Sequence, residues 1–101
     1  MYILLTSKQG HYRTEISHGL VAAEIYNYLF CGSVRIQFVI AQLAEATKIR
    51  VIDEGPPEAI NLVPSKFFPR FDDLTAARHA LAELTSFAQL DAQLVKVLPS
   101  S

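Results

Sequence analysis

The segment FDDLTAARHALAEL, residues 71–84, constrains the fold more than any other stretch of the chain. Leu74, Ala77, Leu81 and Leu84 recur at the spacing of one helical face, and Arg78, His79 and Glu83 fall off it. Asp72 or Asp73 stands where a side-chain oxygen can cap the first free amides, which accounts for this acidic pair without catalysis. A helix with one apolar stripe cannot bury it alone. It needs a second layer, and the remaining segments say what that layer is.

Residues 2–6 (YILLT) are apolar and β-prone, and residues 7–10 (SKQG) read as a turn. Over residues 11–16, Tyr12, Thr14 and Ile16 alternate with His11, Arg13 and Glu15, so the two runs predict a hairpin with one wet face. Residues 34–53 carry two signals. Val34, Ile36, Phe38 and Ile40 alternate as a strand does, and so do Ile49, Val51 and Asp53, while Ile36, Val39, Ile40 and Leu43 also fit a helix. The β-branched and aromatic residues of 34–40 decide for a long hairpin turning near Ala44-Glu45-Ala46, with Asp53-Glu54 as the solvated end of its second strand. Gly55-Pro56-Pro57 stops any regular element, and Pro64 and Pro69 leave room only for a short edge strand at 60–63. Residues 94–98 predict a last strand.

Residues 19–30 (GLVAAEIYNYLF) place Val21, Ile25, Tyr28 and Leu29 at helical spacing, with Ser17 as cap and Cys31-Gly32-Ser33 as a helix stop. The resulting order ββαββαβ predicts an α+β fold, a mainly antiparallel sheet with two helices on one face. If the second strand is only a loop extension, the order becomes the ferredoxin-like βαββαβ. A chain of 101 residues buries enough surface for one core, so residues 1–101 are expected to form a single domain.

Nine Lys and Arg face ten Asp and Glu, for a net charge of −1, and the two signs are spread evenly along the chain. No stretch is basic enough for the many phosphate contacts that nucleic acid or an anionic membrane demands. The opening apolar run has no basic lead and ends at Lys8, which argues against a signal peptide or a membrane span. Cys31 is the single cysteine, so no intramolecular disulfide can form, and the expected compartment is a reducing cytoplasm. Its position at an expected helix end predicts a core or boundary thiol rather than a nucleophile.

His11, His18 and His79 lack the spacing of a metal site, and the four glycines write no phosphate-binding loop. No cofactor and no metal are expected. Two features stand out. His11-Tyr12-Arg13-Thr14-Glu15 gathers an imidazole, a phenol, a guanidinium and a carboxylate on one short strand, and residues 63–71 interleave three phenylalanines with Lys66 and Arg70. The expectation is a small cytoplasmic accessory or protein-interaction module without catalysis of its own. Its partner would be a larger protein or a second copy, the homodimer using the 19–30 helix or an edge strand. The alternative is a small dimeric enzyme, or a binding domain for a small anionic ligand, that brings His11, Tyr12 and Arg13 together with Lys66 and Arg70 in one cleft.

Overall fold

The computed structural model describes residues 1–16, 19–85 and 92–97. Its elements are β1 (Tyr2–Lys8), β2 (Tyr12–Thr14), β3 (Leu20–Phe30), β4 (Ser33–Leu43), β5 (Lys48–Asp53), β6 (Ile60–Pro64), a 3-10 turn (Ser65–Phe67), β7 (Arg70–Phe71), α1 (Leu74–Leu84) and β8 (Ala92–Val97). The strands form one sheet in the order β6-β5-β2-β1-β4-β3-β8, with β7 beside the start of β1, and every pairing is antiparallel.

Two expectations fail here. Residues 19–30 are not a helix but the long strand β3, held between β4 and β8. The fold therefore has one helix among the described residues, and neither two helices on one face nor the ferredoxin-like βαββαβ order. The misleading periodicity has a local cause. A bulge between Ala22 and Glu24 inserts one residue and inverts which side chains face which way. Before it, Leu20 and Ala22 enter one apolar cluster; after it, Ile25 enters the same cluster while Tyr26 and Tyr28 enter the other. An alternation broken in mid-strand leaves apolar residues three and four apart, such as Val21, Ile25 and Tyr28, which a helix template also accepts.

The stop at 31–33 is a hairpin turn for a similar reason. Phe30 pairs with Ser33, and the two residues between them, Cys31 at φ 52° and Gly32 at φ 79°, both take the left-handed conformation of a tight primed turn. Cys31 is exposed at that tip, contrary to the expected core or boundary position. Strands over 34–43 and 48–53 form as the alternation predicts, but they do not make a hairpin with each other: β4 lies between β1 and β3, and β5 between β2 and β6. The expected cap Ser17, His18 and residue 98 of the last strand lie outside the described residues.

The centre of the sheet is apolar on both faces. Ile3 and Leu5 of β1 join Leu20, Val39, Ala41, Leu43 and Ile49, with Phe68 packed against them; Leu4 joins Phe38 and Ile40 under Ala77 and Leu81 of α1. This explains the unbroken run Phe38-Val39-Ile40-Ala41, all four buried, which a half-solvated strand would not carry. The helix begins as its sequence predicts: Asp73 is the N-cap, and its Oδ1 accepts from the Ala76 amide at 2.7 Å. Three of the four stripe residues turn inward, but Leu84 does not.

Candidate functional site

One edge of β1 is shared by partners that diverge. Tyr2 and Ile3 pair with β7, and Lys8 pairs with Tyr12 of β2. Between them the edge is closed by side chains: the Thr14 hydroxyl donates to the Thr6 carbonyl at 2.6 Å, and the Thr14 amide donates to Ser7 Oγ at 2.8 Å. A cleft of about 380 Å³ opens at this fork. Leu4, Thr6, Tyr12 and Thr14 contribute from β1 and β2, and Val51 and Val63 from β5 and β6. Phe67, Phe68, Pro69 and Leu84 complete the lining. Phe67 and Leu84 stay 70% and 57% exposed, and the Thr14 hydroxyl is already spent on backbone, so the cleft is mainly apolar.

The sequence-derived candidates fall in three places. Tyr12 lines this cleft. Arg13, one residue on, has the opposite orientation, and its guanidinium lies among Glu15, Glu54 and Glu58 at 4.0, 3.8 and 3.7 Å. Three carboxylates already answer that charge. His11 is exposed in the turn before β2. Lys66 and Arg70 line a separate cleft of about 270 Å³ with Leu43, Glu45 and Ser65, and neither is ion-paired among the described residues. The Lys66 ammonium also sits 5.5 Å from the centre of the Phe67 ring. The fold thus brings Lys66 and Arg70 together and leaves His11, Tyr12 and Arg13 away from them.

The most concentrated charge cluster is one the sequence does not announce. Glu24 is 3% exposed on the helix side of β3. Its Oε1 accepts from the Tyr26 hydroxyl at 2.8 Å and from Arg78 Nε at 2.9 Å, while Oε2 accepts from Lys96 Nζ at 2.8 Å and from the second nitrogen of Arg78. The bond from Arg78 outweighs the opposing effect of burial, and with Lys96 and Tyr26 it lowers the Glu24 pKa from 4.5 to about 2. Burial, together with the Glu24 carboxylate, raises the Tyr26 phenol. A carboxylate so saturated stays anionic at neutral pH and has no lone pair well placed to take a proton from a substrate. It works as a pin, tying α1 and β8 to β3. Arg78 and Lys96 stand 54 and 72 residues from Glu24 in the chain, so only an unexplained polar residue within an apolar run hinted at it.

Among the described residues no group of three or more His, Cys, Asp and Glu side chains is arranged to hold a metal ion, and no helix is long and apolar enough to cross a membrane. Comparisons with family models, with curated proteins and with solved structures gave no match.

Proposed function

We propose that this protein is a non-catalytic interaction module that takes an apolar segment of a larger protein into the cleft at the β1 fork. The observation that carries the reading is the exposure of Phe67 and Leu84 at that cleft. Large apolar side chains gathered around a concavity are what a recognition surface requires, because their transfer from water to a partner supplies the free energy of binding. A cytoplasmic setting suits the exposed free thiol of Cys31.

The test is a photo-crosslinking amino acid placed at Phe67 in the cells that make the protein. A discrete covalent adduct with another protein, lost when Leu84→Asp is added, supports the module. Labelling no different from that of the same group placed at exposed Lys8 overturns it. A second reading, a small anionic ligand, is supported by the shared cleft of Lys66 and Arg70. Titration with inorganic phosphate, followed by amide chemical shifts around Ser65 and Arg70, separates the two readings.

A further inference from the structure

We infer that a second copy of this chain pairs with the free edge of β6, antiparallel and about a twofold axis at Leu62. This surface is distinct from the fork cleft and does not depend on the reading given to it. Among the described residues β6 ends the sheet and has β5 as its single neighbour. Which of its backbone groups are free follows from the bonds that flank the ladder. Asp53 N donates to the Ala59 carbonyl at 2.9 Å, and Ser65 N donates to the Thr47 carbonyl at 2.8 Å, both in the register that pairs Arg50 with Leu62. Antiparallel ladders alternate, so the odd-numbered residues of this strand turn their backbone groups toward β5. Ile60, Leu62 and Pro64 turn theirs outward. Pro64, with no amide to offer, stands where a missing donor costs the sheet nothing.

Ile60 and Leu62 are also the residues whose side chains the fold leaves 57% and 58% exposed. The same two residues therefore present open hydrogen-bonding groups at the edge and apolar side chains on one face, the combination that strand addition uses. With Leu62 on the axis, its amide and carbonyl bond reciprocally with the partner's Leu62, and the Ile60 amide reaches the partner's Pro64 carbonyl. The unmatched group is the Ile60 carbonyl, opposite a proline nitrogen. Charge agrees with this register. Glu58 and Lys66 flank the strand at equal distances in sequence from Leu62, so in an antiparallel pair each acidic end meets a basic end.

Sedimentation velocity of the full chain at tens of micromolar tests the proposal. A dimer is expected, weakened roughly tenfold or more by Leu62→Lys, which sets two like charges on the axis. It is also weakened by Glu58→Lys and restored when Lys66→Glu is added. Val21→Ser, exposed on β3 away from this edge, leaves it unchanged. In a Cys31→Ser background, Leu62→Cys is expected to oxidise to a covalent dimer, because residues facing each other in such a pair lie within disulfide reach, whereas Val21→Cys is not. A clean monomer at that concentration, a dimer indifferent to Leu62→Lys, or equal oxidation of the two cysteine variants overturns the inference.

Discussion

The two ends of the sheet meet solvent in different ways. At one end β8 turns Lys96 inward, where its ammonium reaches the buried Glu24 carboxylate, and Leu94 packs beside Tyr26 and Tyr28 under the helix layer. An inward charge that depends on a specific partner makes an edge a poor template for a foreign strand. At the other end, on β6, Ile60 and Leu62 stand in water. One domain thus closes one edge with a charge and leaves the other apolar. Both halves feed the core, since Ile49 and Ile52 of β5 are buried, but the β8 edge is tied to the helix layer and the outer strand β6 leaves Ile60 and Leu62 uncovered.

The largest effect that would break this division is expected at Leu81. Its side chain is buried between α1 and the sheet, so Leu81→Ala should cost about 2 to 5 kcal/mol in denaturant unfolding, with Leu62→Ala within about 0.5 kcal/mol of the parent. Comparable losses at the two sites would erase the distinction.

Glu24 comes next, through pH. Its carboxyl titrates near 2 in the folded chain and near 4.5 when unfolded, so its contribution is complete above about pH 5 and disappears as pH falls through the folded value. The pH-dependent part amounts to about 3 kcal/mol, and Glu24→Gln should remove it. Unfolding curves at a series of pH values check this: parent and variant should converge in acid and separate toward neutrality. Parallel profiles would mean that the ion cluster adds nothing to the helix-covered half.

Lys96→Ala should cost less, about 1 kcal/mol, because Arg78 and Tyr26 still satisfy Glu24 and the lysine head is half in water. It sharpens the comparison in a second way. With the inward charge gone, β8 becomes the less protected edge, and faster amide exchange along residues 92–97 is the expected sign. Smallest of all is Arg13→Ala. Its ion pairs are long and exposed, so thermal unfolding should move by no more than about 0.5 kcal/mol equivalent.

Several elements were legible because one local rule decided them. The cap at Asp73, the buried face of Ala77 and Leu81 and the short strands at 2–6, 48–53 and 60–63 each follow from a spacing or a turn residue within a few positions, while the first turn falls at 9–11 rather than 7–10 because Ser7 and Lys8 extend β1 in its pairing with β4. The 19–30 segment was not legible, because a bulge set by its pairing with β4 breaks the alternation that would have identified it. Nor was the partner of each strand: 34–43 and 48–53 read correctly as strands and wrongly as neighbours, since alternation reports which face is apolar and says nothing about which edge is paired. Of the candidate site, the prolines of 63–71 suggest mostly loop, whereas the stretch holds the end of β6, a 3-10 turn and β7, with Phe67 exposed and Phe68 packed against the core. The separation of Tyr12 from Arg13 follows from strand alternation alone, but the distance of both from Lys66 and Arg70 does not.

By itself the sequence determined where several of the turns fall, which helix face is apolar, and that charges of both signs are spread along the chain, because those properties depend on residues close together in it. The tertiary structure decided the rest: that one edge of β1 serves two partners and so opens a cleft, that Glu24 meets Arg78 and Lys96, and that β6 rather than β8 is left as the open apolar edge. Those facts depend on contacts between residues dozens of positions apart, whose loop-closure entropy is repaid only when the whole sheet forms.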